Sequence, residues 1–316
     1  MAIFKDYLEN KSPLILHGAL GTEMESLGYD ISGKLWSAKY LLDKPEVIQK
    51  IHETYVAAGA DLITTSSYQA TLPGLIDAGL TEKEAEQIIA LTVQLAKNAR
   101  DKVWATLDDS EKAKRPYPLI SGDVGPYAAY LANGSEYTGD YGQIIIEALK
   151  EFHRPRIQIL LDHGVDLLAL ETIPNYLEAQ ALIELLAEEF PEAEAYISFT
   201  VQEPGTISDG TSLDEIAQLV SQSDQILALG INCSSPLLYN QALTILKNAG
   251  KALITYPNSG EVYDGSTQTW KPKDKDALTL VEHSKDWHTQ FGVKILGGCC
   301  RTRPNDIKAL YAEFRT

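Results

Sequence analysis

Three cysteines are the residues of this chain whose type and position most directly indicate chemistry. Cys233 follows the predicted strand in LALGINCSS, and the adjacent pair Cys299 and Cys300 follows the predicted strand in KILGGCCRTRP. Zinc binds thiolate sulfur in tetrahedral geometry, and a catalytic zinc site keeps one position open. A substrate thiol bound there would be ionised, and the thiolate is the nucleophilic form of sulfur. The three cysteines therefore suggest alkyl transfer onto sulfur.

Other roles for these cysteines remain open at this point. An odd, small number of cysteines does not predict a disulfide framework. A free cysteine is often a small buried apolar residue, which explains Cys233 well and the adjacent pair less well. A reversible disulfide between Cys299 and Cys300 is a further alternative. The short spacings that make zinc motifs specific are absent, so spacing alone does not decide between these roles.

The predicted elements explain how cysteines that are distant in sequence can meet. Short apolar runs, typical of strands buried on both faces, alternate with amphipathic stretches. The predicted strands are 14–17, 62–66, 119–123, 167–171, 196–200, 226–232, 253–256 and 293–296. The predicted helices are 46–58, 82–100, 144–163, 177–189, 213–221, 237–248, 276–291 and 304–314.

This alternation of eight strands and eight helices is typical of a (β/α)₈ barrel, with 1–316 forming a single domain. A doubly wound open sheet is the alternative, but no G-x-G-x-x-G sequence follows the first strand. The loops that follow barrel strands form the active site. We therefore expect 122–141 and 257–275 at the active site, and 101–118 to be a solvated turn.

A carboxylate and several aromatic residues also follow predicted strands. Glu171 ends the fourth strand, where a carboxylate is a candidate for ligand binding, although it could instead face the start of the next helix. Aromatic faces attract sulfonium and quaternary ammonium cations, so as a group these residues favour a cationic ligand, while any one of them could be ordinary loop packing. The aromatic residues are Trp36, Tyr68, Tyr127, Tyr130, Tyr137 and Tyr141.

The composition excludes some classes of function. The chain has 27 Lys and Arg against 44 Asp and Glu, a formal net charge of −17. This charge disfavours nucleic acid and anionic membrane surfaces as partners. No apolar run is long enough for a spanning helix, and MAIFKDYLENK does not read as a signal peptide. We therefore expect a cytoplasmic protein.

Over nearly its whole length, the chain resembles the homocysteine S-methyltransferase family. The matching segments are GALGTEMESLG, LWSAKYL, SSYQAT, GDVGPYAAYLANGSEYTGDY, LLALETIPN, GINCSS, YPNSGEVYDG and GGCCRTRP. GINC with a distant GGCC is highly specific for zinc-dependent homocysteine binding. The tyrosine-rich segments resemble the branch that uses S-methylmethionine more than the betaine-using relatives. The resemblance implies a (β/α)₈ barrel with zinc as its cofactor.

Carried over by position, the resemblance implies that Cys233, Cys299 and Cys300 are the zinc ligands. Glu171 would hold the homocysteine amino group, and the backbone after the first strand would receive the carboxylate, an approach that glycine permits. The residues of that backbone segment are Gly18, Ala19 and Leu20, and the remaining expected substrate contacts are His17, Trp36, Tyr68 and Asn232.

His17 departs from the pattern of the family. Many relatives have aspartate at this position, where it helps to hold the amino group. A histidine supplies less negative charge, and a protonated histidine would repel an ammonium group. We therefore expect His17→Asp to lower the Michaelis constant for homocysteine.

The implied reaction is methyl transfer to homocysteine from S-methylmethionine, or from S-adenosylmethionine, to give methionine. The partners of the protein would be these small molecules. Cobalamin is not expected, because 316 residues are too few to include the folate and cobalamin domains of methionine synthases as well. The alternatives are a betaine-type donor, a zinc-binding barrel that senses oxidation of Cys299 and Cys300, and a metal-free barrel enzyme such as an aldolase or isomerase.

Overall fold

The computed structural model describes residues 3–9, 12–32, 36–264, 269–271 and 277–315. Eight parallel strands lie side by side in the order β1-β10-β7-β6-β5-β4-β3-β2, and a parallel bridge between Leu16 and Leu62 joins the two ends of this sheet. The strands are β1 Leu14–Ile15, β2 Leu62–Thr64, β3 Leu119–Val124, β4 Leu167–Ile173, β5 Ala195–Phe199, β6 Ile226–Asn232, β7 Ala252–Tyr256 and β10 Ile295–Leu296. The predicted (β/α)₈ barrel is confirmed.

Burial on both faces explains why the strands read as continuous apolar runs. One hydrophobic cluster takes a side chain from each of the eight strands and fills the barrel, and Phe4 of the N-terminal helix joins it. A second, larger cluster packs the outward-facing side chains against the surrounding helices. The strands approach so closely that a Cβ at Gly230 would lie 1.7 Å from the Ile254 carbonyl oxygen, so only glycine fits there.

Helices connect the strands, as the sequence predicts. The helices of eight or more residues are Pro45–Ala58, Glu82–Trp104, Ile146–Asp162, Tyr176–Glu189, Leu213–Ser221, Tyr239–Leu246, Leu280–Phe291 and Pro304–Phe314. Thr279 caps the helix that begins at Leu280. The predicted start of that helix, at position 276, lies outside the described residues.

Short helices fill several of the connections. These are Ile3–Leu8, Leu20–Ser26, Lys39–Asp43, Leu72–Asp77, Asp109–Lys112, Tyr127–Leu131 and Ser135–Thr138, with 3₁₀ turns at Trp36–Ala38, Pro236–Leu238 and Lys247–Ala249. The expectation of a solvated turn over 101–118 is corrected, because the preceding helix runs on to Trp104 and a capping box at Asp108 starts a further turn of helix.

The connection after β7 contains an antiparallel hairpin, β8 Val262–Asp264 with β9 Thr269–Lys271. The rest of the predicted active-site loop at 265–268 and 272–275 lies outside the described residues. No helix in the part of the chain that the structure describes has the length and apolar content needed to cross a membrane.

Candidate metal centre and active site

The three cysteine thiols meet at the carboxyl-terminal mouth of the barrel. The Sγ atoms of Cys233, Cys299 and Cys300 all lie within 4.8 Å of one another, and those of Cys233 and Cys300 are 3.6 Å apart. Cys233 directly follows β6, and the adjacent pair lies three and four residues after β10. All three are free cysteines. The barrel closure thus brings together residues that the sequence separates widely.

Backbone hydrogen bonds to the end of β7 fix the positions of the cysteines. The amide of Cys233 donates to the Tyr256 carbonyl at 3.3 Å, and the amide of Cys299 donates to the Pro257 carbonyl at 2.7 Å. The amide of Ser259 donates to the Cys300 carbonyl at 3.0 Å. Cys233 has φ of 48°, in the left-handed region that non-glycine residues rarely adopt. Strained backbone of this kind is often found at active sites, which makes Cys233 a candidate functional residue.

The separation of the thiols fits a single zinc ion. Sulfur atoms at about 2.3 Å from a tetrahedral zinc lie about 3.8 Å from each other. The 3.6 Å between Cys233 and Cys300 is close to that separation. Among the described residues, the group that could hold a metal consists of these three cysteines and includes no fourth His, Cys, Asp or Glu. The donor set therefore fits a site with one open position.

The thiols influence one another electrostatically. Hydrogen bonds from Cys233 and Cys299 lower the pKa of the Cys300 thiol well below its usual value. Hydrogen bonds with Cys299 and then with Cys300, followed by burial, raise the pKa of the Cys233 thiol. One thiolate is thus stabilised by its two neighbours even without a metal. A cationic ion in the cluster would favour ionisation of all three.

A cavity of about 1600 Å³ opens beside the cysteines. Typical ligand pockets have volumes of roughly 300–1,000 Å³, so this cavity can hold two small molecules at once. Its lining includes the predicted site residues His17, Gly18, Ala19, Leu20, Trp36, Tyr68, Glu171, Cys233, Cys299 and Cys300. The structure therefore brings together ten of the eleven residues that the sequence and the resemblance assign to the site.

Glu171 faces this cavity from β4 and is hydrogen-bonded on two sides. Tyr256 donates its hydroxyl to Glu171 Oε2 at 3.0 Å, and the Asp123 carboxyl lies within hydrogen-bonding reach. Burial raises the pKa of Glu171 to about 7. Burial, followed by the charge of Glu171, raises the pKa of Asp123 well above its usual value. Two buried carboxyl groups thus sit side by side in the cavity.

Asn232 is the expected substrate contact that does not line the cavity. Its side chain is fully buried and holds Thr172, donating to Thr172 Oγ1 at 2.8 Å and accepting from the Thr172 amide at 3.1 Å. Thr172 has φ of 65° and lies where the β4–β5 register shifts. Asn232 therefore stabilises the bulge directly after Glu171, and it acts on the site through that bulge.

His17 is held by its neighbours at the wall of the cavity. Its Nδ1 hydrogen-bonds the Gly18 carbonyl oxygen, so Nδ1 carries the proton, and its Nε2 accepts from the Thr64 hydroxyl. Burial lowers the pKa of His17 to about 4. The imidazole is therefore neutral at physiological pH and does not repel a substrate ammonium.

The segment after β1 packs closely against the cysteine loop. The Ala19 amide donates to the Thr302 carbonyl at 3.3 Å, and the Tyr55 hydroxyl donates to the Ala19 carbonyl at 3.0 Å. A Cβ at Gly18 would lie 3.0 Å from both Thr302 and Tyr55. The indole of Trp36 lies directly against Gly21, where a Cβ would come within 2.8 Å of the ring. Small residues here let the backbone form part of the cavity wall.

The aromatic residues divide into two groups. Trp36, Tyr68 and Tyr137 line the cavity. Tyr127, Tyr130 and Tyr141 do not, so loop packing, the alternative that the sequence leaves open for each tyrosine, holds for these three. Their rings pack around Phe152 and one another, and the Tyr141 hydroxyl donates to Glu178. Apolar packing against the helix Ile146–Asp162 decides their orientation.

The sequence reasoning missed several residues of the cavity wall. Asp123, Tyr256, His52 and Glu136 all line it. Asp123 and Tyr256 lie at the carboxyl ends of β3 and β7, so the argument that selects Glu171 also selects them. His52 lies within the helix Pro45–Ala58, and its cavity-facing position has no signal in the sequence. Glu136 lies in the sequence GSEY, where the argument from aromatic residues selects only Tyr137.

Comparison with known proteins gives one consistent result. The family model described as homocysteine S-methyltransferase matches residues 14–314. The chain is 44% identical over 305 residues to homocysteine S-methyltransferase YbgG of Bacillus subtilis (strain 168), covering 96% of this chain and 95% of that protein. It is 42% identical over 312 residues to homocysteine S-methyltransferase of Escherichia coli (strain K12), with coverage of 97% and 96%. The metallated form of the homocysteine methyltransferase MmuM from Escherichia coli has a TM-score of 0.85 and 41% identity, with 98% of each chain covered.

Proposed function

Because the chain belongs to the homocysteine S-methyltransferase family, we propose that it transfers a methyl group from a sulfonium donor to the sulfur of homocysteine and so forms methionine. The observation that carries the proposal is the cluster of three thiols at the mouth of the barrel, facing a cavity with room for two small molecules. A thiol cluster with an open position suits a substrate that brings its own sulfur.

Zinc is the cofactor that the donor set fits. Cys233, Cys299 and Cys300 would hold the ion, and the metallated structure of the Escherichia coli relative supports this assignment. When bound, zinc would keep the acceptor sulfur in its thiolate form at neutral pH. Without a metal, the buried thiol cluster would not ionise a substrate thiol, because burial disfavours the charged form.

The chain's own residues would bind and orient the acceptor. Glu171 supplies a carboxylate for the α-ammonium group, and its orientation is fixed by the hydrogen bond from Tyr256. The substrate carboxylate would lie along the backbone of Gly18, Ala19 and Leu20, which lines the same cavity. Holding both charged groups at the α-carbon directs the sulfur at the other end of the molecule toward the cysteines and makes the transfer effectively intramolecular.

Aromatic and acidic side chains favour a cationic donor. Trp36, Tyr68 and Tyr137 present aromatic surface to the cavity, and aromatic faces attract sulfonium groups. Glu136 lies half-buried nearby and adds negative charge. S-methylmethionine is the donor that we favour, with S-adenosylmethionine as the second candidate. One carbon–sulfur bond breaks in the donor as another forms in the acceptor, so the sulfonium and the thiolate both become neutral thioethers and no proton is moved.

The test is methionine formation by reduced, zinc-loaded protein. Homocysteine with a deuterated carbon chain separates, by mass, the methionine made from the acceptor from the methionine left by the donor. We expect heavy methionine to accumulate with S-methylmethionine and to disappear after chelation. S-adenosylmethionine and betaine then rank the donors. Absence of heavy methionine with every donor, from protein that retains zinc, would show that the proposal is wrong.

The same conditions bear on where the protein works. The site needs three reduced thiols, and all three cysteines are free in the structure. A reducing compartment keeps thiols in this state, which supports the cytoplasmic location that the sequence predicts. Fractionation of cells that express the tagged protein tests this location, and recovery outside the cytoplasmic fraction would contradict it.

A further inference from the structure

Asp123 is a buried acid that has no role in the mechanism proposed above. It lies on β3, its side chain lines the cavity, and only 4% of the residue is exposed. Its backbone is fully engaged: the amide donates to Thr65 Oγ1 at 2.9 Å, and the carbonyl accepts from Ser67 Oγ at 2.7 Å. Its Oδ1 atom, however, is buried with no hydrogen-bond partner. A carboxyl oxygen is therefore held in place and left unsatisfied.

The neighbouring acid hydrogen-bonds Asp123 but brings no positive charge. Asp123 and Glu171 face each other across adjacent strands, and within the described part of the chain neither forms an ion pair. Arg156 is the nearby cation whose charge acts on Asp123. Its guanidinium, however, donates to the backbone carbonyls of Ser67, Tyr68 and Gly125. Arg156 therefore acts on Asp123 without satisfying its free oxygen.

A structural role does not account for this arrangement. Elsewhere in the molecule a buried acid meets its counter-charge: Asp61 pairs with Arg315 at 2.6 Å and with Arg115 at 3.4 Å. Burying two acids together without an ion pair is unfavourable, because each loses hydration and each opposes ionisation of the other. Such a pair is expected where a ligand supplies the missing positive charge.

The two histidines of the cavity wall cannot supply the negative charge that an ammonium needs. His17 uses both ring nitrogens on Gly18 and Thr64. His52 carries no negative charge in any protonation state. Asp123 is therefore the acid placed to act together with Glu171 on this side of the cavity.

We propose that Asp123 binds the substrate α-ammonium together with Glu171, so that the acceptor site recognises an amino acid through two carboxylates from neighbouring strands. This inference rests on the proposed function, because it takes homocysteine as the acceptor. An ammonium group has three N–H donors and can bond both carboxylates at once. The pair therefore makes the site selective for acceptors that carry an α-amino group over thiols that lack one.

The test compares homocysteine with 4-mercaptobutyrate, which keeps the thiol and the carboxylate and lacks the amino group. Dissociation constants are measured by calorimetry on reduced, zinc-loaded protein for the wild type, Asp123→Asn and Asp162→Asn. Asp162 is an exposed acid at the end of the helix Ile146–Asp162, so its variant removes one charge without touching the cavity. Zinc content and thermal unfolding are recorded for each protein.

We expect Asp123→Asn to weaken homocysteine binding roughly tenfold or more, the range for a hydrogen bond to a charged group. Binding of 4-mercaptobutyrate should change less than about twofold, because this ligand has no ammonium group to bond Asp123. Asp162→Asn should leave the binding of both ligands unchanged. Equal weakening of both ligands, or no change in either, would overturn the proposal. If Asp123→Asn does not fold, Asp123→Ser gives the same comparison.

The two proposals fail in different ways. Homocysteine binding that depends on Asp123, with no methionine formed from any donor, contradicts the methyl-transfer function and leaves the ammonium site intact. Methionine formation with an unchanged Michaelis constant in Asp123→Asn contradicts the ammonium site alone.

Discussion

Two clusters of buried polar side chains lie close together in this barrel, and they differ in whether the protein satisfies them. In the first cluster, His153 donates Nε2–H to Glu178 at 2.8 Å, and Arg156 donates to His153 Nδ1 at 3.1 Å. Glu178 also accepts from the Tyr127 amide at 2.6 Å and from the Tyr141 hydroxyl. In the cavity, by contrast, Asp123 and Glu171 lie side by side, and neither forms an ion pair with a described residue.

This difference separates structure from function more clearly than burial does. A buried network whose donors and acceptors are paired stabilises one conformation, and removal of one member leaves the others uncompensated. A buried group that the protein leaves unpaired lowers stability and is retained where a ligand completes it. His153 belongs to the first class.

The largest effect should follow from removing a thiol at the mouth of the barrel. Cys300→Ser replaces a soft sulfur donor with a hydroxyl, which zinc binds much less well. We expect loss of bound zinc and a fall in methyl transfer of more than about a hundredfold, since even changes behind the ligands cost 10–100-fold. Metal analysis and the methionine assay measure both. Full zinc occupancy with full activity would show that the thiols are not the metal site.

The paired network should respond in stability rather than in binding. Glu178→Gln removes the negative charge at one end of the chain Arg156–His153–Glu178, and breaking a buried charge pair costs about 3–5 kcal/mol. We expect the free energy of unfolding to fall by an amount near the lower limit of that range. Urea unfolding measures this change. Asp123→Asn should leave that free energy unchanged or raise it, because it removes one of two like acids.

The matched control for this prediction is Glu184→Gln, on the same helix as Glu178. Glu184 is half-exposed and pairs with Lys150 at 2.9 Å, so its loss should cost less than about 1 kcal/mol. If Asp123→Asn destabilises the protein as much as Glu178→Gln does, the two clusters do not differ and Asp123 is structural.

The sequence predicts one side of the cavity much better than the other. The cysteines are recognisable because soft ligands are rare in this chain and each follows a predicted strand. The alternation of strands and helices then places them on one rim without further information. Glu171 was found by the same strand-end argument. Asp123 satisfies that argument too, in GDVG, but its burial beside Glu171 is visible only in the structure.

Tertiary packing explains the remaining differences. Asn232 lies beside Cys233 in the chain, yet strand alternation turns its side chain away from the cavity and toward Thr172. Tyr127 and Tyr141 lie in the expected loop, but Phe152 and Glu178 determine where they point. A loop's position on the barrel can be predicted from the sequence, whereas the orientation of each of its side chains cannot.

The acid pair should also make ligand binding depend on pH. Burial raises the pKa of Glu171 to about 7, and a protonated carboxyl does not attract an ammonium group. Methionine affinity should therefore rise with pH between 6 and 8, by up to about tenfold per unit on the acidic side. Methionine is the suitable ligand because its thioether does not ionise, unlike the thiol of homocysteine. Calorimetry at several pH values provides the measurement.

The control ligand is 4-(methylthio)butyrate, which is methionine without its amino group. Its affinity should not rise between pH 6 and 8, because it makes no contact that requires an ionised Glu171. A parallel rise for both ligands would place the titrating group elsewhere and remove the evidence for an ammonium site at the acid pair.

The smallest effect should come from His17. A substitution there tests whether positions 17 and 123 contact the same ammonium group. His17→Asp adds a carboxyl to a cavity that already holds two, so we expect only a modest fall in the Michaelis constant for homocysteine, of about threefold or less. In an Asp123→Asn background the same change restores a missing acid, and it should recover most of the lost affinity. Steady-state kinetics of the two single variants and the double variant measure this coupling. If His17→Asp gives the same factor in both backgrounds, positions 17 and 123 act independently and do not share one ammonium group.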